Sequence, residues 1–220
     1  MPAMSMSTAR KPKVPPAFQE NHAVGSFVST LQNEAETCQR CDLYKHATQT
    51  VFGEGRDTAR VVLVGEQPGD REDLAGKPFV GPAGKILDEC LCEAGIDRSL
   101  CYVTNAVKHF KFEQRGKRRM HARPNAGEIK QCAWWLGGEL SVLKPKLVVS
   151  LGATAFYSLT GRSVGLTKER GRIHLAPDGT PLLVTIHPSY LLRIRDQAGR
   201  AQEKRNFIRD LSQVGKYLSV

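Results

Sequence analysis

Two histidines bracket a strongly basic stretch of the chain, residues 108–121. After His109 the stretch passes two phenylalanines, becomes the Lys-Arg-Arg run at 117–119 and ends on His121. Lys and Arg are costly to bury unpaired, and they displace counterions from a nucleic-acid backbone. The stretch therefore suits a surface loop that contacts phosphates, and it leaves open what its two histidines do.

Two cysteines with metal-ligand spacing precede this stretch. Cys38-x-x-Cys41 lets two thiolates converge on one metal ion or cluster, and Cys132 is a candidate for a third ligand. His109 is the best remaining fourth ligand, although a zinc site with the same ligands or a reduced pair without metal is also open. The other cysteines lie within apolar helix or strand patterns, where a free thiol acts as a small hydrophobe: Cys90, Cys92 and Cys101.

Short apolar runs at residues 60–64, 100–107, 146–151 and 181–186 predict strands, and the strand–helix–strand spacing makes them parallel. Helices are predicted at 26–37, 83–94, 125–143, from the turn at 152–154 to 159, and at 201–218. Four residues stand at or just beyond the carboxyl ends of the four strands: Glu66, Asn105, Gly152 and His187. Ligands bind at that edge of open α/β sheets, so we expect one composite site there.

Several residues at this edge could act on a nucleobase, and each has a plainer interpretation. Glu66 and Asp70 share a turn that could hold a water or stabilise positive charge, although Asp70 could simply cap a helix. Phe79 could stack on a base, or it could belong to the core. Asn105 could bond the polar edge of a base, or it could form a turn. His187, held extended before a proline, could donate to an anionic leaving group, or it could be structural.

Composition narrows the class of protein. The 220 residues fit one domain, and a formal net charge of +10 favours a polyanionic partner, although solubility explains it equally well. The chain has no run of roughly 20 apolar residues and no secretory signal, so a cytoplasmic protein is expected. Residues 1–25 are predicted to be a disordered basic tail, and residues 26–220 the folded domain. The chain lacks a Walker phosphate loop and a Gly-x-Gly-x-x-Gly fingerprint, which disfavours nucleotide-cofactor enzymes.

Four motifs, in order along the chain, resemble those of iron–sulfur uracil-DNA glycosylases. They are GEQPGD at 65–70, PFVG at 78–81, TNAVK at 104–108 and HPSYLLR at 187–193. The resemblance spans roughly residues 38–218. Gln67, His109 and the sequence KRRMH at 117–121 resemble the UdgX branch, whose members excise uracil and then stay covalently joined to the abasic site.

The resemblance implies a three-layer α/β/α sandwich with a central four-stranded parallel sheet. It implies a [4Fe-4S] cluster with the ligands Cys38, Cys41, His109 and Cys132, where His109 replaces a cysteine of conventional members. The implied partner is uracil-containing DNA, single-stranded DNA included. We expect a monomer that binds this DNA through Lys117, Arg118, Arg119 and Arg193.

The resemblance also assigns roles in catalysis. Phe79 stacks on uracil, Asn105 reads its amide edge and Gln67 shapes the pocket. His187 stabilises the uracil anion, the carboxylates Glu66 and Asp70 stabilise the cationic sugar, and His121 attacks it. Two alternatives remain: a turnover glycosylase in which His121 only contacts phosphate, and a non-enzymatic iron–sulfur or zinc module that binds nucleic acid.

Overall fold

The structure is a computed structural model that describes residues 24–218. The tail predicted at residues 1–25 lies outside this range apart from its last two residues, which begin the first helix. The strands are β1 (Val61–Gly65), β2 (Cys101–Asn105), β3 (Phe112–Arg115), β4 (Arg118–His121), β5 (Leu147–Leu151), β6 (Ile173–Leu175) and β7 (Pro181–Thr185). The α-helices are α1 (Val24–Glu36), α2 (Asp70–Ala75), α3 (Pro82–Glu93), α4 (Ala126–Leu143), α5 (Ala153–Thr160), α6 (Leu166–Glu169), α7 (Ser189–Arg193), α8 (Gln197–Ser212) and α9 (Gly215–Leu218).

The main sheet has five strands in the order β2-β1-β5-β7-β6. The first four are parallel, as predicted, and β6 pairs antiparallel with β7 at one edge. The predicted count of four was therefore wrong by one strand. Ile173 and Leu175 of β6 are 40% and 63% exposed, so this edge strand lacks the continuous apolar run that identified the buried strands.

Apolar side chains project from both faces of the sheet that the parallel strands form. In β1, Val61 and Leu63 pack into the layer that contains α3 and α8, whereas Val62 and Val64 pack toward α4 and α5. None of these four side chains of β1 has any exposed surface. A sheet covered on both faces gives the three-layer α/β/α sandwich that was expected.

The basic stretch is a β-hairpin rather than an irregular loop. Strands β3 and β4 pair antiparallel, with Phe112 opposite His121, and a two-residue turn at Gly116 and Lys117 joins them. Gly116 has φ +57°, a left-handed conformation that such turns require and glycine adopts without strain. The hairpin therefore fixes where His121 stands.

The long predicted helices are confirmed to within two residues at α1, α3 and α4. The prediction for residues 201–218 was wrong at both ends. Helix α8 begins earlier, because Asp196 accepts the Gly199 N–H at 2.6 Å and caps it, and the chain breaks after Ser212 before a separate α9.

Candidate active site

The carboxyl ends of β1, β2, β5 and β7 open onto one cleft of about 1290 Å³. The structure brings the residues predicted at this edge together in its lining, and His121 and Arg193 join them there. The predicted site residues in the lining are Glu66, Gln67, Asp70, Phe79, Asn105, His121, Gly152, His187 and Arg193.

Phe79 lies at the floor of the cleft in an unusual backbone conformation. Its φ is +57°, a region that costs a non-glycine residue about 1–3 kcal/mol and is enriched at functional sites. Gly84 permits the geometry, since a Cβ there would stand 1.7 Å from the Phe79 carbonyl oxygen. The Phe79 ring centroid lies 6.1 Å from that of His187. These two rings and Asn105 form what we call the base pocket.

Asn105 contributes an unused amide to the base pocket. The residue is 2% exposed, and no described residue forms a hydrogen bond with its side chain. A Cβ on Gly65 would lie 2.4 Å from the amide oxygen, so the glycine makes room for it. Buried polar groups are normally satisfied within the protein, so a free amide lining a cleft points to a ligand with a complementary polar edge.

The contacts of His187 define its tautomer. The Ser189 backbone N–H donates to Nδ1 at 3.2 Å, and the Ser189 hydroxyl lies 2.8 Å from the same nitrogen. Burial lowers the pKa of His187 to about 4, although the negative charge of Glu66 opposes the shift. The neutral ring accepts at Nδ1 and so carries its proton on Nε2. It can therefore donate one hydrogen bond without being charged.

Glu66 and His121 face each other across the cleft. His121 Nε2 lies 3.2 Å from Glu66 Oε1, and the hydroxyl of Thr154 donates to Oε2 of the same carboxylate. Burial alone would raise the pKa of Glu66, but the hydrogen bonds from His121 and Thr154 outweigh it and hold that pKa below its usual value. Glu66 is thus a carboxylate, and His121, with its side chain half exposed, remains open to the cleft.

Two carboxylates hold the hairpin against the body of the protein. Arg119 Nε donates to Asp70 Oδ1 at 2.6 Å, and its Nη1 donates to Asp73 Oδ2 at 2.6 Å. The guanidinium also lies over the rings of Phe110 and Phe112. The structure thus places Asp70, expected near the sugar, and Arg119, expected on phosphate, in one ion-pair network. Asp70 is also not the helix cap, since the cap of α2 is the preceding glycine.

Gln67 ties both stems of the hairpin together. Its amide nitrogen donates to the carbonyls of Lys111 and Ala122 at 3.1 and 3.0 Å, and its oxygen accepts the Lys111 N–H at 3.2 Å. These two residues stand immediately outside β3 and β4. The amide was expected to shape the pocket; in the structure it fixes the base of the hairpin that carries His121.

Free positive charge lies at the tip of the hairpin. Among the described residues, no carboxylate pairs with Lys117 or Arg118, and both are largely exposed. Arg193, at the end of α7, donates to the Ser189 hydroxyl at 3.0 Å while lining the cleft. Of these three cations, Arg193 lines the cleft, whereas Lys117 and Arg118 stand at the exposed turn of the hairpin.

Three cysteines border one hydrophobic cluster, with Cys132 inside it and Cys38 and Cys41 packed against it; we call these three residues the cysteine site. Two of the sulfurs accept an N–H: that of the Trp135 indole at 3.0 Å for Cys38, and that of the Lys108 backbone at 3.1 Å for Cys132. Such bonds are typical around metal-bound thiolates. Burial raises the pKa of the Cys132 thiol to about 12, so it is not a free nucleophile.

His109 is buried next to this region, with its Nε2 3.0 Å from the Thr50 hydroxyl. That hydroxyl donates its only proton to the Ala35 carbonyl, so it must accept from His109 Nε2–H. The Nδ1 lone pair of His109 is therefore free, as metal ligation through that nitrogen requires. Within residues 24–218, no three His, Cys, Asp or Glu side chains converge as a single metal ion would need.

Sequence reasoning missed three supporting residues. Thr154 had a weak signal, since it follows the glycine turn after β5, but its bond to Glu66 could not be read from the chain. Ser189, which fixes the His187 tautomer, had no signal beyond its motif. Lys108 lies in an apolar segment of the sequence and is buried with Glu139. A lysine in such a segment could have been noticed as one that needs a charged partner, because lysine is almost never buried without one.

The fold and the cleft define a class: an α/β/α protein whose cleft is lined by an aromatic ring, an amide without a hydrogen-bond partner among the described residues, and an imidazole–carboxylate pair. Residues 52–212 match the family model described as the uracil DNA glycosylase superfamily. The chain belongs to this superfamily, whose members are glycosylases. No helix within the described residues is both long and apolar enough to cross a membrane.

Curated relatives agree with this membership. The type-4 uracil-DNA glycosylase of Thermotoga maritima is 37% identical over 170 residues, which cover 77% of this chain and 85% of the relative. That of Pyrobaculum aerophilum is 35% identical over 170 residues, covering 74% and 83%. That of Archaeoglobus fulgidus is 39% identical over 125 residues, covering 57% and 59%.

Proposed function

We propose that this protein excises uracil from DNA and then joins His121 covalently to the abasic deoxyribose, as members of the UdgX branch do. The observation that carries the proposal is the 3.2 Å contact between His121 and Glu66 inside the cleft that holds the base pocket. A carboxylate at this position orients the imidazole and can accept its proton, as activation of a histidine nucleophile requires.

Base recognition uses the base pocket. Uracil inside a duplex is inaccessible, so the nucleotide is flipped out, or is met in single-stranded DNA, where no pairing must be broken. The Phe79 ring offers a stacking surface, and the Asn105 amide offers a donor and an acceptor that match O4 and N3–H of uracil. Cytosine presents the opposite pattern on that edge and is disfavoured.

Cleavage of the glycosidic bond leaves negative charge on uracil and positive charge on the sugar, and the site has a group that stabilises each. The electron pair of the glycosidic bond leaves with uracil N1, and the neutral His187 donates its Nε2–H to an oxygen of the resulting anion. Because His187 is neutral, it stabilises the anion without repelling the cationic sugar. The Glu66 carboxylate stabilises the oxocarbenium-like sugar left behind.

His121 then takes the place of water. The His121 nitrogen that is hydrogen-bonded to Glu66 carries a proton. The other ring nitrogen therefore holds a lone pair, and this lone pair forms the bond to C1′ of the sugar. After the attack, one ring nitrogen carries the sugar and the other carries a proton, so the imidazole has a positive charge. It loses that charge when its N–H proton passes to Glu66.

The chemistry of the cysteine site fits an iron–sulfur cluster better than one ion. We propose that Cys38, Cys41, Cys132 and His109 hold a [4Fe-4S] cluster, supported by the N–H donors to the sulfurs of Cys38 and Cys132 and by the lone pair on Nδ1 of His109. Four irons each take one ligand, so the ligands need not converge on one point. The cluster would supply a covalent crosslink between the N-terminal segment and α4, with residues 26–220 forming one domain.

DNA binding depends on the cations that have no carboxylate partner among the described residues. Lys117, Arg118 and Arg193 serve this role in the proposal. Arg119, although part of the same run, acts through the hairpin instead. The division follows from the ion pairs, since an arginine that already pairs with two carboxylates has little attraction left for phosphate.

One gel tests the proposal. The protein is incubated with single-stranded DNA containing one uracil and separated under denaturing conditions. A protein–DNA band stable to heat and detergent is expected; free abasic DNA would instead indicate the turnover glycosylase, and intact uracil DNA would indicate a binding module. His121→Ser should remove the band, and His46→Ser, at an exposed histidine outside the cleft, should keep it.

A further inference from the structure

A lysine and a glutamate form an ion pair with no solvent exposure behind the base pocket. Lys108 and Glu139 are each 0% exposed, and Nζ lies 2.6 Å from Glu139 Oε2. The same ammonium donates to the Thr104 hydroxyl at 2.6 Å and to the backbone carbonyl of Asn105 at 2.9 Å. All three N–H donors of the lysine are therefore used.

Glu139 is equally well satisfied. Besides Lys108 and Thr104, it accepts the Tyr102 hydroxyl at 3.0 Å and the Gly53 N–H at 3.1 Å. Removing two charges from water is expensive, and an apolar pair of similar volume is often as stable or more stable. Stability alone therefore does not explain why a charged pair occupies this place.

The pair holds the turn that follows β2. At that turn the N–H of Ala106 donates to the Gly65 carbonyl at 2.9 Å, and the N–H of Val107 donates to the Glu66 carbonyl at 3.0 Å. These bonds tie the turn to β1, but neither reaches the carbonyl of Asn105. Among the side chains of the described residues, that of Lys108 donates a hydrogen bond to the Asn105 carbonyl.

We propose that Lys108 is a positioning residue that acts through Asn105. By holding the Asn105 peptide, it fixes the direction of the one free amide in the base pocket and so sets how well uracil is distinguished from cytosine. The inference rests on the proposed function, since it concerns the base that the pocket reads. Lys108 also donates its backbone N–H to Cys132, so one residue joins the base pocket to the cysteine site.

Binding measurements separate this role from a general structural one. The probes are two single-stranded oligonucleotides, one with a single 2′-fluoro-deoxyuridine and the other with 2′-fluoro-deoxycytidine at the same position. The fluorine disfavours positive charge on the sugar, so neither base is excised. Fluorescence anisotropy gives a Kd for each strand, and their ratio measures discrimination between the two bases.

The test variant is Lys108→Met with Glu139→Gln, which leaves no unpaired charge. We expect the discrimination ratio to fall about tenfold, the lower range for an amide that reads a base edge. In an Asn105→Ala background, the same pair of substitutions should change the ratio no further. An unchanged ratio, or an equal fall in both backgrounds, would overturn the role of Lys108.

Folding is checked by thermal melting. Should the pair fail to fold, Lys108→Gln with Glu139→Gln replaces it. This variant again leaves no unpaired charge, glutamine keeps two donors for the three acceptors, and the ratio is read in the same way. A wild-type protein with no preference for the uracil strand would defeat the proposed function itself. A wild-type preference that survives either variant would defeat only the assignment of Lys108.

Discussion

The Arg119 network gives the sharpest energetic prediction. In Arg119→Gln, the Asp73 carboxylate keeps one hydrogen-bond donor among the described residues, the Thr48 N–H at 3.0 Å, while its side chain is 0% exposed. Removing one partner of a buried pair costs about 3–5 kcal/mol, because the other charge stays buried and unpaired. The second pair, with Asp70, is half exposed and contributes at most about 1 kcal/mol.

Most of this destabilisation should appear as detachment of the hairpin. A lone two-stranded hairpin is marginally stable in water, so it depends on its contacts with α2 and Gln67. Because the hairpin carries His121 but no part of the base pocket, Arg119→Gln should reduce the yield of cross-linked DNA at least tenfold. Release of free uracil should stay within a few-fold of the wild type.

Two assays on one reaction measure both outcomes: a denaturing gel for the cross-link and chromatography for free uracil. Arg115→Gln is the control, at an exposed arginine of the same hairpin whose ion pair with Glu113 is also exposed, and it should leave the cross-link intact. Asp73→Asn in the Arg119→Gln background should recover part of the missing stability in urea denaturation. A parallel fall of cross-linking and excision, or equal stability of Arg119→Gln and Arg115→Gln, would show that Arg119 does not hold the hairpin in place.

Three further predictions follow from the site. Burial lowers the pKa of His187 from 6.5 to about 4, so the unfolded chain binds that proton more tightly than the folded protein does. The free energy of unfolding should therefore fall as the pH falls between these two values, by up to about 3 kcal/mol. Urea denaturation of the wild type and of His187→Gln across this range should show the difference, and parallel curves would reject it. His109→Cys should keep the visible absorbance of an iron–sulfur cluster and His109→Ala should lose it, whereas stoichiometric zinc in the wild type would reject the cluster. Lys117→Gln with Arg118→Gln should weaken binding of single-stranded DNA and lower the slope of log affinity against log salt by about 0.7 for each phosphate that is no longer neutralised, and an unchanged slope would count against the hairpin tip.

The buried parallel strands were predictable because each is apolar on both faces, and their carboxyl ends had to meet at one edge. That rule alone brought Glu66, Asn105 and His187 together. Strand β6 was not predictable in the same way, since a short edge strand has no continuous apolar run. The hairpin was hidden because both of its strands are charged and little of their surface is buried.

The partners of the site residues could not be read from the chain. Arg119 and Asp70 are 49 residues apart, and their pairing depends on how the hairpin folds back over α2. Residue type suggested that Arg119 binds phosphate, and only its contacts assign it to the carboxylates. The His187 and His109 tautomers likewise follow from single hydrogen bonds to Ser189 and Thr50, for which the sequence carries no pattern.

Peptide mapping by mass spectrometry identifies the residue that forms the bond to DNA. The protein is reacted with a short uracil-containing single strand without any reducing agent, digested with protease and nuclease, and sequenced by fragmentation. We expect one added deoxyribose phosphate fragment on the imidazole of His121, and none in Glu66→Gln or His121→Ser beyond a trace. An adduct on a lysine, or an unmodified His121 peptide in a sample that has released all its uracil, would show that His121 is not the nucleophile.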